Sequence, residues 1–154
     1  MLCCDGAARG NLGRAGAGVV VRDTNANVLG AMSVGFGIQT NYLAEVLCIV
    51  VGLEWATKFG MTDVCIRSDS MDAILVFSGN INLVPCFLLL RWLAVMAIHN
   101  DIRFVHSYRE ANIAAHTMAK RGCLLEEGVG LSYDNRPDFI IAIELPNVTY
   151  FIFD

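Results

Sequence analysis

"CCDGAARGNLGRAGAG", residues 3–18, sets one carboxylate, Asp5, ahead of five glycines and two arginines. Glycines interleaved with basic residues suit either a phosphate-cradling loop or a tight turn between strands. A phosphate loop hands its anion to the N-terminus of a helix directly after it. The next residues here are instead "AGVVVR", 17–22, then "DTNAN", then "VLGAMSVGF", 28–36. Two β-branched or small-apolar runs around a cluster of Asp, Thr and Asn read as a hairpin. The glycines therefore serve a strand–turn–strand. With the short stub "LCCDG" they predict three antiparallel strands, and Asp5 falls where the first meets its turn.

Beyond residue 40 the period changes. Leu43, Val46, Leu47, Val50 and Leu53 follow helical spacing within 40–59, and Gly60 supplies a stop. "DVCIRS", 63–68, predicts a strand and "DSMDAILVFSG", 69–79, a helix. "PCFLLLRWLAVMAIHN", 85–100, opens on a helix-starting proline and is apolar nearly all round, so a buried helix is expected. "IRFVHS", 102–107, reads as a strand, and "ANIAAHTMAKRG", 111–122, as a helix with a basic C-terminus. The order β-β-β-α-β-α-α-β-α implies an α/β fold, a mixed sheet with helices packed on it. "LLEEGVGLSYDNRPD" reads as loop. "FIIAIELPNVTYFIFD", 139–154, is an apolar tail suited to an edge strand or a cover for a helix face. The domain expectation is 1–122 as the folded unit and 123–154 as a C-terminal loop and tail.

Composition narrows the function. The 154 residues are 55% hydrophobic and 17% charged, which fits one folded domain and excludes disorder as the default. A net charge of −4 argues against holding nucleic acid by bulk positive charge. Six cysteines show no CxxC pair and no zinc-like spacing, and several lie in apolar runs. With no signal peptide visible, a reduced intracellular setting, cytoplasmic or nuclear, is expected. Charge or glycine interrupts every apolar run, so no membrane span is expected.

Three acids are poorly explained by solvation: Asp5 before the glycine turn, Glu45 on an apolar stretch of the first helix, and Asp69 between a strand and a helix. Singly, each has a structural explanation as turn residue, helix-dipole partner or N-cap. Together they stand at strand and helix ends that could meet at one rim of the sheet, where a hard divalent cation would find its oxygen ligands. Two such ions about 4 Å apart can activate water against a phosphodiester.

Four segments, "DGAARGNLGRAGAG", "TNYLAE…GLEWA", "IRSDS" and "HSYREANIAAHTMAK", occur in the order found in type 1 ribonuclease H domains. The chain resembles the plant reverse-transcriptase-like, retroelement-associated form of that family from about Cys4 to Gly122. The resemblance implies a ribonuclease H-like fold: a mixed five-stranded sheet, three antiparallel strands then two parallel, flanked by helices. It implies Mg²⁺- or Mn²⁺-dependent hydrolysis of the RNA strand of RNA–DNA hybrids by two cations. Asp5 then matches the bridging aspartate, Glu45 the helical glutamate, and Asp69 the aspartate ending the fourth strand. The backbone of Gly6, Ala7 and Ala8, with Asn11, Thr40 and Asn41, matches positions that lie against the hybrid. His106 matches a loop histidine that shuttles protons near the leaving group or assists product departure.

The match departs at the fourth carboxylate, where "REANIAAHTMAK" has His116. Imidazole is a poor ligand for Mg²⁺ and a better one for Mn²⁺, so weaker Mg²⁺ activity is expected. Leu12 stands in the turn that positions Asn11, and residues 79–85 are too few for a basic handle. Arg9, Arg14 and Lys120 remain as phosphate contacts. The chain starts four residues before Asp5, which predicts a short first strand and either a domain cut from a longer polyprotein or a fragment. A monomer is expected. The alternatives are a fold remnant that binds nucleic acid or protein without cutting, and a structural module docking through its apolar tail.

Overall fold

The computed structural model describes residues 1–141. Its elements are β1 (Leu2–Ala8), β2 (Gly13–Arg22), β3 (Val28–Gln39), α1 (Asn41–Ala56), β4 (Asp63–Ser68) and α2 (Met71–Ser78). They continue as α3 (Cys86–Ile98), β5 (Asp101–His106), α4 (Ile113–Gly122), β6 (Gly130–Asp134) and α5 (Asp138–Ile141). The strands form one mixed sheet in the order β5-β4-β1-β2-β3-β6. Pairing is antiparallel from β1 through β2 and β3 to β6, while β4 is parallel to both β1 and β5. The predicted α/β ribonuclease H-like fold class holds.

The strand count differs from the five expected. Residues 130–134, read as loop, form β6 against Gly30–Val34 of β3. This edge strand is exposed at four of its five residues, so it carries no apolar alternation to betray it. Of the expected C-terminal loop and tail, 123–141 therefore contributes a strand and the short α5, whose Ile140 is buried. The tail reading for 142–154 lies outside the described residues.

The first strand is not clipped around Asp5. β1 holds seven residues, and Asp5 pairs with Gly18 in the middle of an unbroken register from Leu2↔Val21 to Ala8↔Ala15. Two apolar layers flank the sheet. Leu2, Cys4, Val19 and Ile66 pack with α1, α2 and α3 on one face. Cys3, Val20 and Ala31 pack with Ala114, Ala115 and Met118 of α4, and with Ile140, on the other.

Two glycines of the opening segment let the helices close in. A Cβ on Gly6 would collide with the α1 backbone at Ala44 and Glu45. One on Gly18 would collide with the Ala115 carbonyl of α4. Thr40 caps α1, its Oγ1 accepting from Leu43 N–H at 3.1 Å, which fixes where the helix carrying Glu45 begins.

The expectation that α3 is buried all round does not hold. Leu88, Trp92 and Val95 are buried, with Trp92 against Phe77 at 4.6 Å between ring centroids. Phe87 and Leu90 are 62% and 81% exposed. α3 lies outside α1 and offers the core only one stripe, and an all-apolar sequence gives no sign of which stripe that is.

Candidate active site

Strand alternation turns Asp5 towards α4 and Gly6 towards α1, so β1 meets both layers at consecutive residues. Glu45, one turn into α1, accepts from Gly6 N–H through Oε2 at 2.9 Å. Asp69 comes directly after β4, which is parallel to β1, so both carboxylates reach the same end of the sheet. The result is a cluster in which one oxygen each from Asp5, Glu45 and Asp69 lies within 4.8 Å of the others.

Both aspartates are also held from outside the cluster. His116 Nδ1 lies 2.9 Å from Asp5 Oδ2, and Arg109 Nε donates to Asp69 Oδ2 at 3.1 Å. Among the described residues, no other group donates a hydrogen bond to the buried Asp5 Oδ1 or Asp69 Oδ1. A buried orphan carboxylate oxygen is costly unless a cation or proton meets it. Three hard oxygen donors with two such orphans fit a divalent cation of the Mg²⁺ or Mn²⁺ kind.

Without a cation, protons take that role. Burial, reinforced by the Glu45 and Asp69 charges, pushes Asp5 up to about 9. Burial raises Glu45 to about 8, opposed by the Gly6 N–H and aided by Asp69. Burial first, then the Lys120 and Arg109 charges, holds His116 below the ordinary imidazole value, so its ring is neutral at pH 7.

A cleft of about 500 Å³ opens beside the cluster and meets it at Glu45; Gly6, Ala7, Ala8, Asn41 and His116 line it together with Arg9, Arg109, Lys120 and Cys123. The structure thus brings most of the sequence-derived residues to one place. Asn41 Oδ1 accepts from Ala8 N–H at 2.9 Å, and Asn41 N–H donates to Asn11 Oδ1 at 3.1 Å. That chain ties the turn after β1 to the start of α1. His106 ends β5 beside Ser68, exposed, with its ring edge-on to Tyr108, and does not line the cleft.

Two residues escaped the sequence reading. Arg109 is the cationic partner of Asp69. Asn112 is buried, and its Nδ2 donates to Cys4 O at 2.8 Å, pinning the start of α4 to the strand next to Asp5. Both sit in "REAN", a 3-10 turn, and the motif around it was the available signal.

A sheet of this order with its carboxylates gathered at the central strand has the architecture of type 1 ribonuclease H domains. RNase H1 from the halophilic archaeon Halobacterium salinarum superposes with a TM-score of 0.70 at 26% identity, covering 79% of this chain and 94% of that one. LC11-RNase H1, solved in complex with an RNA/DNA hybrid, gives 0.70 at 29% identity over 79% and 94%. The chain itself belongs to the reverse transcriptase-like family, whose model matches residues 3–122. A bifunctional protein of Mycobacterium tuberculosis is 30% identical over 146 residues, 92% of this chain. A putative ribonuclease H protein of Arabidopsis thaliana is 35% identical over 143 residues, 90% of this chain. The chain spans 40% and 23% of the length of these two relatives. No helix among the described residues is long and apolar enough to cross a membrane.

Proposed function

We propose that this chain is a divalent-cation-dependent endonuclease that hydrolyses the RNA strand of RNA–DNA hybrids. The observation that carries the reading is the cluster of Asp5, Glu45 and Asp69, with a buried oxygen on each aspartate that finds no donor among the described residues. These three residues would hold the cation, Mg²⁺ or Mn²⁺, with His116 in the fourth position around it. Bound there, the cation would polarise the scissile phosphate and lower the barrier to attack by water, leaving 5′-phosphate and 3′-hydroxyl ends. The resemblance assigns two cations to this work.

The chain's own residues would do the rest. The Gly6–Ala8 backbone and Asn41 line the cleft, and Asn11 and Thr40 hold that surface in place. Backbone and amide groups suit recognition of a 2′-hydroxyl without base readout. Arg9, Arg109 and Lys120 would meet phosphates, giving salt-sensitive binding. His106 would serve protons at the rim. The working unit would be a monomer in the cytoplasm or nucleus.

His116 in place of a carboxylate favours a second reading, a fold remnant that holds nucleic acid or a protein partner without cutting. A labelled hybrid incubated with the chain and Mg²⁺ or Mn²⁺ separates the two. Cleavage abolished by Asp69→Asn is the expected result. Binding without cleavage under both cations would establish the remnant, and cleavage that survives Asp69→Asn would overturn the assignment of the site.

A further inference from the structure

We propose that the outer face of α3 is a contact between two copies of this chain, in which the two α3 helices pack antiparallel about a twofold axis. The inference goes beyond the nuclease reading and is independent of it, since no residue lining the cleft belongs to α3. The pairing joins two working units and leaves each cleft to its own copy.

Leu88, Trp92 and Val95 form the stripe that α3 turns to the core. Successive helical residues are rotated by about 100°, which puts Cys86, Phe87, Leu90, Leu93, Ala94 and Ala97 on the opposite side. Each of these is exposed. Single exposed apolar residues are ordinary on a protein surface, but a contiguous uncharged face along a whole helix marks an interaction site. Down its middle, Phe87, Leu90, Ala94 and Ala97 repeat at alternating three- and four-residue steps, the pattern of helices that pack on helices. The occupant that fits is another helix.

Side-chain size makes that helix a second α3. With the twofold axis level with residue 92, Phe87 faces Ala97 of the second copy and Leu90 faces its Ala94, so a large side chain meets a small one at every layer. A parallel pair would set Phe87 against Phe87 at one end and Ala97 against Ala97 at the other. Charge agrees. Arg91, the only charged residue of α3, is held in its own copy by both carboxylate oxygens of Glu54, at 2.8 and 2.6 Å. The chain carries a net charge of −4, yet this face brings no unmatched charge to the contact. α3 also has no acid in its first turn and no base in its last. An antiparallel copy supplies that complement, setting each positive N-terminal end beside a negative C-terminal end. Such a contact uses the same patch twice and closes as a dimer. One helix face offers fewer residues than the roughly 20–30 a side of a standard interface, so reversible pairing with a dissociation constant of roughly 10–100 μM is expected.

Sedimentation equilibrium of the purified chain, without cation or hybrid, tests this across the micromolar range. The mass is expected to rise with concentration from one chain towards two. Leu90→Glu should stay at one chain throughout, with the circular dichroism spectrum of the unaltered protein. Leu90→Ala should weaken pairing about tenfold or more. Leu90→Ala combined with Ala94→Leu exchanges large and small within the same layer, and should restore pairing to within about threefold. The mass of one chain at every concentration would overturn the proposal and leave the face to a different protein. Pairing that survives Leu90→Glu would overturn it by placing the contact elsewhere, and an exchange that restores nothing would overturn the antiparallel register. Hybrid cleavage enters none of these readouts, so the proposal can fail while the nuclease reading stands, and the reverse.

Discussion

Gly18 on β2 lies opposite Asp5 on β1, and the space its missing side chain leaves is filled by the Ala115 carbonyl of α4. The helix that carries His116 rests on the sheet at that point. Gly18→Ala should cost about 1–3 kcal/mol, because the obstacle is backbone and cannot rotate away. It should also lift His116 from Asp5. Urea denaturation reads the first effect and loss of Mn²⁺ affinity the second. A variant with unchanged stability would show that α4 does not need this approach.

The cation-free protein should lose stability as pH rises. Asp5 and Glu45 titrate at about 9 and 8 when folded, against ordinary values of 3.8 and 4.5. Between those limits the folded state binds more protons than the unfolded one, so the slope of stability with pH is negative. In EDTA, the melting temperature should fall from about pH 5 to pH 9 and then level off. Glu45→Gln should flatten the fall, since its amide oxygen can still accept from Gly6 N–H. A melting temperature that climbs over this range would contradict the arrangement.

Asp69→Asn should reduce hybrid cleavage by roughly a hundredfold or more, because a cation-binding oxygen is exchanged for a neutral one. Its Arg109 partner is 67% exposed, so the lost ion pair itself should leave stability nearly unchanged. Parallel initial rates and thermal melts separate the two. A large drop in melting temperature would mean that the variant reports unfolding instead.

Asn41→Ala removes the acceptor of Ala8 N–H while leaving the carboxylates in place. A loss of about 1 kcal/mol is expected from that hydrogen bond. Hybrid affinity, measured by fluorescence anisotropy at fixed salt, should weaken several-fold as the turn after β1 loosens. Unchanged affinity would place the hybrid elsewhere.

The two sides of α3 should respond in opposite ways. Trp92→Ala empties the aromatic contact with Phe77 and should cost about 3–5 kcal/mol. Leu90→Glu changes an 81% exposed side chain and should stay within about 0.5 kcal/mol while raising solubility. Chemical denaturation and light scattering check both.

Much of this was legible in the sequence because periodicity reports burial. "DVCIRS" alternates and forms β4 at the expected residues, and the apolar spacing from Leu43 to Leu53 forms α1. Asp5 and Glu45 stand out because each interrupts an apolar context, Asp69 because it stands where a strand gives way to a helix, and the three do converge. β6 is invisible in the sequence because its pairing is backbone to backbone on an exposed edge. α3 misleads because apolar side chains on every face hide which one is used. Arg109 is marked only by the "REAN" motif around it, because its partner Asp69 is 40 residues away, a separation no local pattern encodes. Gly6 reads as part of a turn and Gly18 as part of a strand, whereas both admit helices, from opposite sides of the sheet.

Glu45 accepts the Gly6 amide proton, so one peptide group on the central strand reads the state of a carboxylate in the helical layer above it. Deuterium uptake at that single amide would track Glu45 as it engages and releases. The molecule therefore carries its own isotopic clock beside the cleft, with no label to attach and no residue to replace.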